Sequence, residues 1–421
     1  MHATLPQVRT VDAVDRRDIG RGPGILLAML AALPIAGTLL VAQILPQMEA
    51  AFADTPDVRL RVSIALTVPA LVIALCSAGV GWLADRVGKR RLLTLALILY
   101  AALGLAPMIL RSLDGIIAAR AGMGIAEGII MTCSTALIGD LYSAAQRERL
   151  LSLQTACASI AAVLFAIIGG VLGDLGWRTP FAVYAIALLL LPVLLFVVPT
   201  DRTSDRTSDR AGDRAPDRAT RYPAEAALGR LPWQPLIIIC AATVILSLSF
   251  YAAQIQLPYL LNGLGPVAPS TVGLVSALTN SAVVCGSICF VLFRTVSLRT
   301  VGLLCFVLIA AGLGLTGAAR GYTALCAGLV IVSFAGGIAL PTFLNGAMAL
   351  LNPLQRGTGA GVWQSSFWAG QFFSPILVIM LTQGAGGLSA AITVCAIGTL
   401  FAGGLVSVLL AGRTASGAPG R

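Results

Sequence analysis

Twelve long apolar runs, separated by short polar segments, constrain this chain more than any other feature of its sequence. A helix needs about 20 apolar residues to cross the bilayer core, and barrel strands would be about ten residues long with alternating polarity. The composition agrees, because 57% of the residues are hydrophobic and 11% are charged. The sequence therefore predicts an all-α membrane protein with twelve transmembrane helices. The runs cover residues 24–45, 62–84, 92–111, 115–141, 150–173, 179–199, 233–261, 271–293, 301–318, 322–349, 359–383 and 389–412.

The runs divide into two sets of six. This division predicts two six-helix bundles, at residues 23–199 and 233–412, with polar tails at residues 1–22 and 413–421. Between the bundles, residues 200–232 include a stretch from Asp201 to Arg221 in which an Asp-Arg pair recurs every four residues, without an apolar face. Such a segment is typical of a flexible linker.

The basic residues indicate which side of the membrane each loop occupies. Of the 28 basic residues, 22 fall in the tails, the linker and the loops that share their side. Basic loops remain in the cytoplasm, so we expect both termini there. The single lysine, Lys89, against 27 arginines, indicates a GC-rich bacterial genome and hence an inner membrane. No basic run is interleaved with aromatic residues, so we expect no nucleic-acid partner.

The sequence contains few residues that could bind a metal or catalyse hydrolysis. The one histidine is His2, in the polar N-terminal tail, and one deep carboxylate is present where paired acids would be needed. We therefore expect no enzyme activity, no cofactor and no metal. A transporter-like sensor, or a membrane enzyme acting on lipid, is the alternative class.

A glycine-rich and basic motif follows the second apolar run. It reads Gly81-Trp-Leu-Ala-Asp85-Arg86-Val-Gly88-Lys89-Arg90-Arg91. The glycines suit a close helix approach and a tight turn, and Asp85 suits a neighbouring helix N-terminus.

This motif resembles the signature of the major facilitator superfamily, G-x-L-a-D-R-x-G-r-k, which lies between helices two and three. The resemblance implies two pseudo-symmetric six-helix bundles, secondary transport of a small molecule, and a monomer. It also implies a gating motif that stabilises the outward-facing state, with Asp140 as the acidic partner of the basic residues. The gating residues are Gly81, Asp85, Arg86, Gly88, Lys89, Arg90 and Asp140.

The fourth run carries two charges deep in the membrane, Arg120 and Glu127. Seven residues make nearly two helical turns, so both lie on one face with Gly124, Gly128 and Met131. We expect this face to line a water-filled cavity, because intramembrane charges are usually functional. Glu127 would bind and release a proton, while Arg120 would adjust its pKa or hold an anionic substrate. The alternative is a buried salt bridge that only stabilises the bundle.

Polar residues inside other runs are candidates for the substrate cavity. A cavity of amides and aromatic rings with one acid favours a small amphipathic or cationic organic molecule. The candidates are Gln43, Gly124, Tyr251, Gln254, Asn280, Asn345, Trp363, Gln364 and Gln371.

The fifth run carries a motif that bears on the direction of transport. The pair Gly169-Gly170 matches the end of a motif common among exporters of this superfamily, although Phe165-Ala166 replaces its Gly-Pro. An arginine followed by Gly-x-x-Glu-Gly, as in the fourth run, also occurs among organic-anion importers. We therefore expect proton-coupled efflux of a drug or metabolite by antiport, with proton-linked uptake of an organic anion or other metabolite as the alternative.

Overall fold

The computed structural model describes residues 21–198, 232–293, 295–352 and 355–416. In these ranges all regular structure is helical, and twelve segments are long and apolar enough to cross a membrane. This confirms the predicted all-α class and the count of twelve. Spans 1 to 12 are Gly22–Ala42, Val58–Cys76, Lys89–Met108, Leu113–Leu141, Ala145–Asp174, Thr179–Val197, Trp233–Asn262, Pro269–Phe293, Leu298–Gly317, Tyr322–Ala349, Gly359–Ala385 and Leu388–Ala411.

Several helices extend beyond these apolar segments. The helix of span 2 runs over Val58–Val87, that of span 11 over Arg356–Ala385, and that of span 12 over Leu388–Ser416. Span 1 contains a 3-10 turn at Leu30–Ala32, next to Pro34. Proline has no backbone N–H to continue the α-helical ladder, so this helix is irregular where it reaches the middle of the bundle.

The buried apolar side chains form two clusters. One cluster is built almost entirely from spans 1 to 6, and the other from spans 7 to 12. The chain therefore packs as two six-helix halves. Residues 199–231 lie outside the described part of the chain, and they include nearly all of the predicted linker at 200–232. Most of both tails also lie outside it.

The two halves contact each other at the ends of the spans farthest from Gly88. We call the end of the bundle that carries Gly88 the signature side, and the other end the opposite side. At the opposite side, Gly170 of span 5 packs against the backbone of Pro269 and Gly273 of span 8. The Asp174 carboxylate also accepts a hydrogen bond from the Ser270 N–H over 3.1 Å.

Two further contacts join the halves on the opposite side. Arg59 donates to Gln256 Oε1 over 3.5 Å, and its guanidinium lies 4.6 Å from the centre of the Tyr259 ring. Ser276 donates to Gln43 Oε1 over 3.4 Å. A more central bond, from Ser365 to the Ala74 carbonyl over 2.9 Å, connects spans 11 and 2. Contact on the opposite side is therefore extensive.

Candidate functional site: a central cavity and the buried charges of span 4

A cavity of about 510 Å³ lies between the two halves. This volume is in the range of about 300–1,000 Å³ that is usual for small-molecule sites. Spans 1, 4 and 5 line it from the first half, and spans 7, 8, 10 and 11 line it from the second. Ser276 lines the cavity, and so does Ala42, which precedes Gln43 in the chain. The Gln43–Ser276 contact therefore lies at the edge of the cavity. The cavity is therefore closed by protein contacts toward the opposite side.

The two halves contribute different chemistry to the cavity. Every aromatic lining residue comes from the second half, and the first half contributes small, aliphatic and hydroxyl side chains with one glutamine. Among the residues that the structure describes, the lining includes no Asp, Glu, Lys or Arg. The aromatic residues are Phe250, Tyr251, Phe367 and Trp368.

Four residues proposed from the sequence line this cavity. They are Tyr251, Gln254, Asn280 and Gln371. Gln254 is already held by protein groups, because it donates to Ser333 Oγ over 2.7 Å and accepts from Thr279 Oγ1 over 3.3 Å.

The other cavity candidates lie elsewhere. Trp363 is buried beside an adjoining pocket with about 20 Å³ of free space, which holds little more than one water. Gln43 bonds across the halves without lining the cavity, and Gln364 is half-buried outside the lining. Asn345 is exposed and is not among the residues that line the cavity, so its expected place in the lining is wrong.

The charged face of span 4 turns toward neighbouring helices. Of the five residues expected to line a cavity from this face, only Met131 does so. Gly124 lies against the backbone of Pro69, because span 2 approaches closely where a side chain is missing. The expectation that Arg120, Gly124 and Glu127 line the cavity is therefore wrong.

Arg120 is 1% exposed and is held by main-chain carbonyls. Its guanidinium donates to the carbonyls of Gly37 (2.5 Å), Ala65 (3.1 Å) and Leu66 (3.4 Å), and to Tyr184 Oη (3.0 Å). No acidic side chain in the described ranges forms an ion pair with it. Arg120 therefore joins spans 1, 2, 4 and 6, and it is not placed to hold a substrate in the cavity.

Glu127 lies on the face of span 4 that packs against span 1. It is 3% exposed, its carboxyl group touches the position of Gly37, and its Oε1 has no hydrogen-bond partner. Both charges of span 4 therefore contact Gly37. Tyr184 also donates to the Gly37 carbonyl over 3.3 Å, and Tyr100 donates to the Leu33 carbonyl over 2.5 Å. A buried polar cluster thus lies behind the span 1 residues that line the cavity.

The signature motif forms the turn between spans 2 and 3. Gly88 has a φ of 95°, which side-chain-bearing residues rarely adopt. Lys89 Nζ lies 2.6 Å from Asp140 Oδ2 and 3.9 Å from Asp85 Oδ1, and Arg90 donates to the Leu195 carbonyl over 2.6 Å. The motif thus joins spans 2, 3, 4 and 6.

Two motif residues differ from the expectation. The guanidinium of Arg86 stacks on the Trp82 ring, 3.8 Å from its centre, and both side chains are exposed. A Cβ on Gly81 would meet no atom within 4 Å, so the expected close helix approach at Gly81 is wrong.

Several cavity residues were not identified from the sequence. Spans 1, 4, 5 and 8 contribute hydroxyl groups and an amide, and span 11 contributes an indole ring. A membrane helix that is apolar all around gives no periodic signal for the face that meets a cavity, so these residues carried no marker. They are Thr38, Thr135, Gln154, Thr155, Ser276 and Trp368.

A bundle of twelve spans in two halves around a cavity between them defines a membrane transporter of the facilitator class. The family model described as Major Facilitator Superfamily matches residues 25–245, more than half of the chain. The chain belongs to the major facilitator superfamily.

Solved structures of transporters share this fold. A bacterial homolog of the human lysosomal transporter Spinster, in an inward-facing and occupied conformation, superimposes with a TM-score of 0.74 at 14% identity, covering 93% of this chain and 96% of that one. A D-xylose–proton symporter gives 0.72 at 16% identity, covering 91% and 96%. The peptide transporter POT in complex with sulfate gives 0.71 at 15%, covering 93% and 94%. At these identities the similarity shows the fold alone.

Proposed function

We propose that this protein is a proton-coupled secondary transporter that exports a small organic molecule by alternating access, with Glu127 as the proton-binding group. The observation that carries this proposal is the placement of Glu127. Its carboxyl group is buried against Gly37 of span 1, and Oε1 has no hydrogen-bond partner. An ionised carboxylate without partners is costly in an apolar environment, and a proton removes that cost.

The position of Glu127 suits coupling between a proton and the cavity. Thr38, next to Gly37, lines the cavity, and Met131, one helical turn from Glu127, lines it as well. A change in the charge of Glu127 therefore acts on the packing of span 1 against span 4, and through span 1 on the cavity. Arg120 holds the same turn of span 1 through the Gly37 carbonyl, so it acts as a positioning residue.

The energy available to such a transporter is sufficient. One charge crossing a potential of 100 mV gains about 2.3 kcal/mol, and each unit of pH difference adds about 1.4 kcal/mol. With a potential of 100 mV and one unit of pH difference, one proton per cycle therefore sustains a substrate gradient of roughly several hundredfold. This energy is available only if the proton and the substrate cross in one cycle.

We assign the signature side to the cytoplasm of a bacterium, with the protein as a monomer in the inner membrane. The basic residues of the sequence support this orientation. Apart from the central Ser365–Ala74 bond, the hydrogen bonds described between the halves are on the opposite side, so with this orientation the protein is in an inward-facing state. In that state the cavity would receive a cytoplasmic substrate.

Efflux is favoured over uptake of an organic anion by one observation. An anion in a cavity of low polarity needs a cationic partner, and none of the described residues that line this cavity is Lys or Arg. The glycine pair of the exporter motif is also used in packing, since Gly169 meets the backbone of Leu40 in span 1 and Gly170 meets span 8. Proton-linked uptake of another metabolite remains the second candidate, and the direction of flux separates the two.

The test uses inside-out membrane vesicles with an imposed pH gradient and a mixture of cellular metabolites and drugs. We expect at least one compound to move against the direction of proton flow and to stop moving when a proton ionophore is added. Glu127→Gln should abolish this accumulation while retaining exchange of the compound without a gradient. The matched control is Glu148→Gln, the same change at an exposed carboxylate, which should accumulate the compound like the wild type.

Each alternative result has a definite meaning. Movement in the same direction as protons would establish uptake. If no compound responded to the gradient, the protein would not be a proton-coupled transporter. Full gradient-driven accumulation by Glu127→Gln would remove Glu127 from the mechanism while leaving the transport activity established.

A further inference from the structure

The central cavity combines three features that together define a class of ligand. None of its lining residues within the described ranges is charged, its aromatic residues are all on one side, and two buried polar groups on that side have no partner. The inference that follows rests on the proposed transport function and goes beyond it by naming the chemistry of the substrate.

The two unpartnered groups belong to span 11. Gln371 is 1% exposed, and its Oε1, a hydrogen-bond acceptor, has no partner. Trp368 Nε1, a donor, is also buried without a partner. The two residues are three positions apart on one helix and therefore lie on the same face, and both line the cavity. A buried donor or acceptor without a partner costs about 1–3 kcal/mol. Both atoms are covered by protein in this state, so a ligand that satisfies them gains affinity when the two side chains turn toward it.

Aromatic rings surround these polar groups. Phe367, one turn before Gln371, lies 5.6 Å from the Trp368 ring and 5.8 Å from the Tyr251 ring, measured between ring centres. Tyr251 is in turn 4.9 Å from Phe250. A flat apolar group would find edge and face contacts here. On the other side of the cavity the first half supplies no aromatic ring, only small, aliphatic and hydroxyl side chains and Gln154.

The two buried charges of span 4 lie outside the lining of this cavity. Arg120 is held by carbonyls behind span 1, and Glu127 faces Gly37, so neither is among the lining residues. A charged substrate would lose its hydration without gaining an ionic partner. We infer that the substrate is an uncharged amphipathic molecule with a flat aromatic group, which accepts a hydrogen bond from Trp368 Nε1 and donates one to Gln371 Oε1.

Three matched probes test this inference on the purified full-length protein in lipid nanodiscs, with no gradient present. Dansyl amide, 5-dimethylaminonaphthalene-1-sulfonamide, is uncharged and carries both a donor and acceptors. The corresponding sulfonate is anionic, and the 5-trimethylammonio sulfonamide is cationic. Binding of dansyl amide is followed by energy transfer from tryptophan, and the two ions are tested as competitors.

We expect saturable binding of dansyl amide, with both ions binding about tenfold more weakly or worse, because a buried charge without a partner is costly. Gln371→Met, which removes the acceptor while keeping the length of the side chain, should weaken binding about fivefold. The control Gln234→Met makes the same change at an exposed position of span 7 and should bind like the wild type. Trp368→Phe should reduce both binding and energy transfer, whereas Trp177→Phe, on the opposite side, should not.

Absence of saturable dansyl amide binding, or equal competition by either ion, would overturn the inference. Equal binding by Gln371→Met and wild type would overturn the role of Gln371. The measurement does not depend on proton coupling. Failure of the inference would therefore leave gradient-driven transport intact, and failure of the transport experiment would leave the binding result intact.

Discussion

Arg120 shows at the scale of a single residue how a buried cation can be structural. A guanidinium has five N–H donors in a planar arrangement, and here it serves carbonyls of two other spans and a tyrosine hydroxyl. Each of these groups would otherwise be buried without that partner. The free energy of a hydrogen bond to a charged group is about 1.5–3 kcal/mol, so this one side chain contributes substantially to the packing of the first half.

We expect Arg120→Met to lower the free energy of unfolding by about 3 kcal/mol or more, because several of these bonds are lost together. This loss should lower the thermal midpoint of the purified protein by about 3 °C or more. The thermal midpoint of Arg120→Lys should lie between those of the wild type and Arg120→Met, since one compact ammonium cannot reach all the carbonyls. Arg149→Met, at an exposed position, is the control. Equal midpoints for Arg120→Met and Arg149→Met would contradict the structural role.

At the scale of helices, the contact between spans 5 and 8 depends on glycine. A Cβ on Gly273 would lie too close to the Ala166 carbonyl and to Gly170, and a Cβ on Gly170 would meet the Pro269 carbonyl. Membrane helices approach closely where such small residues face each other, because packing rather than the hydrophobic effect brings them together. These glycines therefore permit the closed arrangement on the opposite side.

Gly273→Val should separate spans 5 and 8 and shift the protein toward opening on the opposite side. Overpacking costs about 1–3 kcal/mol, which corresponds to a shift of about fivefold to a hundredfold in that equilibrium. The measurement is the rate at which an impermeant maleimide labels Ser276→Cys from the opposite side, in a background without native cysteines. Gly404→Val is the control, since a Cβ there meets no atom within 4 Å. An unchanged labelling rate in Gly273→Val would show that this contact does not limit opening.

At the scale of the whole molecule, an even number of spans places the two ends of the chain on the same side. The described ranges contain twelve spans, and the excess of arginine lies with the ends and the linker. If the basic segments are retained in the cytoplasm as proposed, the orientation of every span follows. The assignment of the inward-facing state depends on this orientation.

Reporter fusions test the orientation directly. Green fluorescent protein joined after Arg421 should be fluorescent, because it folds in the cytoplasm, and alkaline phosphatase joined there should be inactive. Alkaline phosphatase inserted after Arg320, in the short segment before span 10, should be active. The reverse pattern at both positions would invert the assignment of sides, and with it the inward-facing state.

Much of the fold could be predicted from the sequence because lipid imposes a simple rule. Each span must satisfy its own backbone hydrogen bonds, so a long apolar run is a helix whatever its neighbours are. The turn at Gly88 and the Lys89–Asp140 pair could also be anticipated, since both depend on a local motif with a known partner helix. The direction of side chains could not be predicted. Asn345, for example, is a polar residue within a span, but it is exposed.

Residue identity along the chain determined the helices, their number, the family and the helical face shared by Arg120 and Glu127. Only the tertiary structure decided where that face points: toward Gly37 and span 2, with Met131 alone reaching the cavity. The physical reason is that lipid and protein interior are similarly apolar. An apolar membrane helix therefore has no preferred face until its neighbours pack against it.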